Sequence, residues 1–136
     1  ASLRERGDLW GRMATQTVQA GVVLTDADLT AAEALVAPLA EGVDRALEGC
    51  DALLTATVLT PAPPFAAFDE GAVWTPMRTL PFNVTGHPAL SVPCGLVGGL
   101  PVGMQVIGRH GDEGGIVRVA AGFEAATDHG AVRPAP

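Results

Sequence analysis

The stretch that decides the fold runs from residue 81 to residue 108 and reads PFNVTGHPALSVPCGLVGGLPVGMQVIG. Glycines and prolines punctuate two short apolar runs, which is the pattern of strands held between tight turns. It predicts strands over Ala89–Val92 and Val102–Ile107, joined by a glycine-rich turn around Gly98 and Gly99. We therefore expect an antiparallel pair of strands here.

The sequence after the two strands predicts a helix that covers them. Asp112 is a residue type that caps helix N-termini. The positions that follow form one apolar stripe at helical spacing, made of Ile116, Val119, Ala120 and Phe123.

The sequence before residue 81 predicts a strand, a loop and a short helix. Residues 51–60 are β-prone and apolar, as in an interior strand. Pro61 ends this run, and residues 61–73 are expected to form a surface loop. Thr75 and Pro76 are typical of an N-cap and a first helical residue, so a short helix is expected towards Phe82.

Residues 1–50 are expected to be helical. A first helix spans 2–20 and stops at Gly21, and either Thr25 or Asp28 can cap the second. Pro38 predicts a kink or short break near Ala37. The spacing of five apolar residues favours one buried helical face, formed by Leu29, Val36, Leu39, Val43 and Leu47.

Composition narrows the class of protein. The 136 residues are 48% hydrophobic and 17% charged, which fits a globular domain. A net charge of −7 argues against a nucleic-acid partner, and no apolar run is long enough to cross a membrane. Two cysteines are too few for a disulfide scaffold, so we expect a cytoplasmic protein.

The chain has no lysine, its only serines are Ser2 and Ser91, and all eight basic residues are arginine. Arginine does not accept protons near neutral pH. A mechanism with a lysine base is therefore excluded for this chain acting alone. The chain also begins at Ala1 without a methionine, and it is expected to be a fragment.

Three candidate sites have simpler structural interpretations. Residues 98–103 have the glycine spacing of a phosphate-binding loop, but Met104 and Gln105 stand where such a loop needs lysine and serine or threonine. We interpret the segment as a turn and strand. Ser91 lies in mid-strand with no sequence signal for an adjacent base, and it is interpreted as structural.

Cys94 is the third candidate, because His87, His110 and Asp112 are imaginable partners in a thiol triad. The chain is acidic and nothing in the sequence brings these groups together, so Cys94 is interpreted as a small buried residue. His87, His110, His129 and a cysteine lack the short spacing of zinc motifs. Neither a metal site nor a cofactor is predicted.

Residues 51–64 and 81–124 resemble the end of the amidase signature family of serine amidohydrolases. The resemblance rests on the Phe-Asn-x-Thr-Gly-x-Pro-Ala-Leu-Ser-x-Pro-Cys-Gly and Gly-Leu-Pro-Val-Gly-x-Gln-x-x-Gly segments within 81–108. It implies hydrolysis of a carboxamide, or transfer of its ammonia, by a Ser–cis-Ser–Lys triad. In that family the triad and its Gly/Ser-rich oxyanion loop precede this region, so no catalytic residue is carried over to this chain.

The resemblance also implies that this region lines the acyl pocket. The candidate substrate-binding residues are Trp74, Thr75, Arg78, Phe82 and Asn83. Glutamine-specific members are expected to carry an acidic group here to receive the substrate's amino group. Thr75, Pro76 and Met77 include no acid, which favours a general or small-molecule amidase.

The sequence thus predicts an α/β fold, with part of a mixed β-sheet flanked by helices, as the C-terminal part of the amidase signature fold. Residues 1–136 are expected to form one partial domain, with a helical part over 1–50 and the strands and last helix over 51–130. The expected function is the structural and substrate-pocket portion of an amidohydrolase, inactive alone. A non-catalytic interaction module and part of a glutamine amidotransferase stay open. Expected partners are the N-terminal portion of the same enzyme and a small-molecule amide, and a homodimer is left open.

Overall fold

The computed structural model describes residues 7–69 and 77–131. The helices in these ranges are α1 (Arg12–Ala20), α2 (Asp26–Glu33), α3 (Val36–Ala46), α4 (Leu80–Thr85) and α5 (Glu113–Ala126). The strands are β1 (Leu53–Ala56), β2 (Ala89–Val97) and β3 (Leu100–Ile107). Short 3-10 turns cover Gly7–Leu9, Gly21–Val23, Phe65–Phe68 and His129–Ala131. No helix in the described ranges has the length and apolar character needed to cross a membrane.

The three strands form one sheet in the order β1-β3-β2, and both strand pairs are antiparallel. The predicted α/β class is confirmed. Gly98 and Gly99 connect β2 to β3 as a two-residue turn with φ angles of 58° and 82°. Glycine adopts this left-handed backbone without strain, as a tight hairpin turn requires. The predicted pair of strands is confirmed, although β2 extends to Val97 and β3 begins at Leu100.

Helix α5 packs on one face of the sheet and forms the core. Val92 and Val106 of the sheet are buried against Ile116 and Ala120 of α5. The helix begins where predicted, since the Asp112 carboxylate accepts a hydrogen bond of 2.9 Å from the Gly115 N–H. The predicted stripe is confirmed as the buried side of α5, with Val119 and Phe123 partly buried at its margin.

The chain divides into two compact units. One contains Ala1–Ala34 and Pro63–Trp74, and the other contains Leu35–Ala62 and Thr75–Pro136. In the first unit, Thr25 and Asp28 form a reciprocal capping box at the start of α2. The sequence left these two residues as alternative caps, and the structure makes Thr25 the N-cap while Asp28 bonds back to it.

Two helix predictions are corrected. The break expected near Ala37 lies at Ala34 and Leu35, because Pro38 sits in the first turn of α3, where its missing N–H removes no helical bond. Helix α4 begins at Leu80, and Thr79 rather than Thr75 is its N-cap. Pro81 in the first turn supplies the helix-compatible φ angle that the sequence suggested for Pro76.

Two burial predictions are also corrected. Leu47 is buried, but Leu29 and Leu39 keep 58% and 47% of their surface exposed, because no described element covers them. Strand β1 is not interior among the described strands, since it pairs with β3 on one side and stands at the edge of the sheet. Its residues accordingly alternate between half-buried and exposed.

Candidate functional site

The sheet face opposite α5 carries a row of polar side chains, which we call the polar face: Thr55, Thr57, Ser91 and Gln105. Successive side chains on a strand point to opposite faces. Because Val92 and Val106 face α5, their neighbours Ser91 and Gln105 point away from it. All four residues belong to the second unit, and Thr55, Ser91 and Gln105 lie on paired strands.

Gln105 is the buried centre of this face, with 2% of its surface exposed. Its side-chain Nε2 donates to Thr55 Oγ1 at 3.1 Å and to the Arg78 carbonyl oxygen at 3.2 Å. Without these acceptors the buried amide N–H groups would be unsatisfied, and the fold would be less stable. The contacts therefore favour one position of the Arg78 backbone. Gln105 thus positions the segment that leads into α4.

The backbone of Met77 and Arg78 is also held by Thr57 and Val58, which directly follow β1. Met77 forms a β-bridge with Val58, and the Arg78 N–H donates to the Thr57 carbonyl oxygen at 2.8 Å. The Arg78 side chain itself is exposed. A fixed backbone with an exposed guanidinium beside a polar sheet face is suited to bind a polar group of a ligand.

Thr57 and Ser91 form a hydroxyl pair beside Gln105. Their Oγ atoms lie 2.7 Å apart, and either can be the donor. Gly103 lies under this pair, where a Cβ atom would stand 2.7 Å from Ser91 Oγ and 3.0 Å from Thr57 Oγ1. The close approach of the two hydroxyls therefore requires glycine at this position. In the described residues Ser91 contacts another hydroxyl rather than a base, as its structural interpretation expects.

An open apolar groove of about 530 Å³ lies along β1 and β3. Its walls include Leu54, Val58, Leu59, Cys94 and Met104, and its lining also includes Thr55 and Gly103. Leu54 and Met104 lie on the α5 side of the sheet. The volume is within the range of small-molecule sites, which combine apolar walls with a few polar groups. The sequence did not predict the groove, because its walls come from three separate segments.

The predicted pocket residues fall into three groups. Arg78 is exposed at the edge of the polar face, and Asn83 is exposed on α4. Phe82 is 9% exposed, so its ring packs inside the protein and anchors α4 rather than facing solvent. Trp74 and Thr75 lie outside the described residues. The role of all five in substrate binding stays a prediction.

Cys94 sits at an irregularity in β2, where the register with β3 shifts between Pro93 and Gly95. Its Sγ contacts the Val102 carbonyl oxygen at 3.6 Å, and the residue is half-buried in the groove wall. The imagined triad partners have other contacts: Asp112 caps α5, and His87 bonds to Asp44 and Thr85. A thiol triad is not assembled by these contacts.

The structure does bring His87 and His110 together, with their ring centroids 4.0 Å apart. The third member of this cluster is Asp44, whose Oδ1 lies 3.2 Å from His87 Nε2. Each of the three offers a ligand atom, and these atoms all lie within 4.8 Å of one another. His129 instead stacks on Phe123 at 6.0 Å. Sequence spacing carried no signal for Asp44, which joins the cluster through tertiary folding.

Comparison with known proteins identifies the family. The A subunit of the glutamyl-tRNA(Gln) amidotransferase from Bacillus pumilus is 55% identical over 56 residues, which is 41% of this chain and 12% of that relative. A crystal structure of an amidase superposes with a TM-score of 0.76 and 30% identity, over 91% of this chain and 30% of that one. The A subunit of the same amidotransferase from Thermotoga maritima gives 0.69 and 29%, over 93% and 27%.

The chain thus spans about an eighth of the curated relative's length (12%) and roughly 30% of the solved amidase. These matches are consistent with the C-terminal portion of an amidase-type enzyme. A family model described as Amidase matches residues 4–117, which is most of the sequence. The chain belongs to the amidase signature family.

Proposed function

We propose that this chain supplies the scaffold and part of the substrate pocket of an amidohydrolase that cleaves carboxamides. The observation that carries the proposal is the apolar groove, whose lining includes Thr55 of the polar face. Family membership supports it, because carboxamide chemistry is what the resemblance to amidase signature enzymes implies.

The reacting groups belong to another portion of the enzyme. In the expected mechanism a serine, deprotonated through a second serine by lysine, attacks the amide carbonyl, and backbone N–H groups stabilise the oxyanion. The C–N bond breaks, the amine leaves with a proton, and water hydrolyses the acyl-enzyme ester. Since this chain has no lysine, it contributes binding rather than the base.

Each part of the site has a role in the proposal. The walls of the groove, including Leu54 and Met104, hold the apolar part of the substrate. The exposed Arg78 guanidinium binds a polar or anionic substituent, and Asn83, Trp74 and Thr75 are further proposed substrate-binding residues. Phe82 keeps α4 in place. The enzyme acts in the cytoplasm, in keeping with two cysteines that are both free in the structure.

A substitution that fills the groove tests this role in the full-length protein. Ala56 is exposed and lines the groove, so Ala56→Phe should raise KM for a simple aliphatic or aryl amide by about tenfold, which corresponds to roughly 1.4 kcal/mol of binding. Ala125→Phe, on the exposed side of α5, is the matched control and should leave KM unchanged. An unchanged KM in an active Ala56→Phe enzyme would remove the groove from the substrate site.

A second candidate is the glutaminase half-reaction of an amidotransferase. The 55% identity to the amidotransferase protein of Bacillus pumilus favours it. The absence of an acidic residue among Thr75, Pro76 and Met77 favours the simple amidase. Rates of ammonia release from glutamine and from amides that lack an α-amino group separate the two: preference for glutamine selects the amidotransferase.

The remaining alternative is a non-catalytic interaction module that binds a partner chain. It predicts no amide hydrolysis by the full-length protein with either class of substrate. Sedimentation analysis of the same protein tests the homodimer that the sequence leaves open.

A further inference from the structure

Asp44, His87 and His110 come from three separate segments of the second unit. Asp44 lies in α3, His87 precedes β2, and His110 follows β3. Their potential ligand atoms nevertheless converge within 4.8 Å. We infer that these three side chains bind a transition-metal dication, with Zn²⁺ as the representative ion, at a site separate from the substrate groove.

His87 is prepared for this role by its surroundings. Its side chain is fully buried, and its Nδ1 lies 2.9 Å from the Thr85 hydroxyl oxygen, which is also buried. A hydrogen bond at one ring nitrogen orients the imidazole and fixes the other nitrogen as the ligand. That other nitrogen, Nε2, faces Asp44 Oδ1 at 3.2 Å. We place the metal ion between this nitrogen and the carboxylate.

His110 and Asp44 supply the movable part of the site. His110 is exposed, and the Asp44 side chain keeps 54% of its surface exposed, so both can adjust their rotamers. Zinc bonds of about 2.0–2.1 Å in a tetrahedral arrangement place ligand atoms about 3.3 Å apart. His87 Nε2 and Asp44 Oδ1, 3.2 Å apart, are close to this separation, and a ligand atom of His110 lies within 4.8 Å of both.

The chemistry of the ligands selects the class of ion. Two neutral imidazoles and one carboxylate suit Zn²⁺, Co²⁺, Ni²⁺ or Cu²⁺, whereas Mg²⁺ and Ca²⁺ prefer oxygen ligands. Three protein ligands leave one tetrahedral position for water. The two arginines next to the cluster in sequence have other contacts. Arg109 donates to the carbonyl oxygens of Leu47 and Cys50 at 2.8 and 2.7 Å, and the Arg45 guanidinium lies 3.7 Å from Glu41 Oε2.

The test measures metal affinity of the full-length protein after treatment with a chelator. Zn²⁺ is titrated in competition with a chromophoric chelator, and Co²⁺ is added separately to record its visible absorption. We expect one equivalent of Zn²⁺ to bind through these residues. His110→Ala and Asp44→Asn should each weaken that binding by more than about tenfold. His129→Ala is the matched control, and it should leave the affinity unchanged.

The melting temperature separates ligation from a purely structural role. Asp44→Asn keeps an oxygen that can accept a hydrogen bond from His87, so the metal-free variant should melt close to the metal-free parent. Zn²⁺ should raise the melting temperature of the parent and of His129→Ala, but not that of Asp44→Asn or His110→Ala. Equal Zn²⁺ affinity in the parent and His110→Ala, or no Zn²⁺ binding by the parent, would overturn the inference.

Discussion

The Gln105 side chain donates a hydrogen bond of 3.2 Å to the Arg78 carbonyl oxygen, across 27 positions of sequence. This contact joins the most buried polar side chain of β3 to the segment that carries the predicted pocket residues. A strand residue therefore determines where the Arg78 backbone lies, although the strand itself contributes no charged group to the site.

Replacing Gln105 by methionine should destabilise the protein by about 1–3 kcal/mol, because the Arg78 carbonyl and the Thr55 hydroxyl lose their donor. Urea denaturation measures the change. Gln19→Met on α1 is the matched control, since Gln19 is exposed and should change stability by less than about 0.5 kcal/mol. Equal stability of the two variants would show that the Gln105 contacts are dispensable.

Gly103→Ala should destabilise the protein by about 1–3 kcal/mol, because the new methyl group would collide with the hydroxyls of Ser91 and Thr57. Adding Ser91→Ala removes the nearer oxygen and should recover part of the loss. A double-mutant cycle on urea denaturation measures this coupling. Additive effects of the two substitutions would contradict the proposed collision.

Gly122→Ala should stabilise the protein by about 0.5–1 kcal/mol. Gly122 lies inside α5, and a Cβ atom there would meet nothing within 4 Å. The same substitution at Gly98 should have the opposite sign, because the φ angle of 58° in the hairpin turn strains alanine. Thermal denaturation of both variants measures the contrast, and a shift of the same sign in both would be inconsistent with it.

Hydrogen bonds from the Thr25 side chain, and then from its backbone N–H, hold the pKa of Asp28 below the ordinary value of an aspartate. Because the folded pKa lies below the unfolded one, the stabilisation is complete above the unfolded pKa of about 3.9 and is lost as the pH falls through the lower folded value. Carboxyl NMR titration should show this, and Thr25→Ala should raise the pKa of Asp28 towards its ordinary value. An ordinary pKa in the parent protein would contradict the capping box.

Local signals in the sequence predicted the elements that depend on neighbouring residues. The turn at Gly98 and Gly99, the Asp112 cap and the apolar side of α5 all follow from backbone and periodicity rules that act over a few residues. The burial of Leu39 could not be judged in this way, because burial depends on whether another element covers the helix.

The clusters that depend on tertiary contacts were not predictable. Gln105 meets Arg78, and Asp44 meets His87, only after the strands pair and α3 packs near them. The spacing of these residues along the sequence does not indicate that they contact each other. The groove could not be predicted either, because its walls come from three segments that meet only in the folded sheet.

The two-residue hairpin turn has a consequence for the order of folding. Strands β2 and β3 pair by closing a very short loop, whereas β1 must bring Ala56 to Met104 across a long one. Short loops close with less loss of chain entropy and so form earlier. The hairpin and α5 should therefore assemble first, and β1 should dock last. Amide protons of β1 should exchange with solvent before those of β2, and the groove should open and close with β1 while the hairpin stays intact.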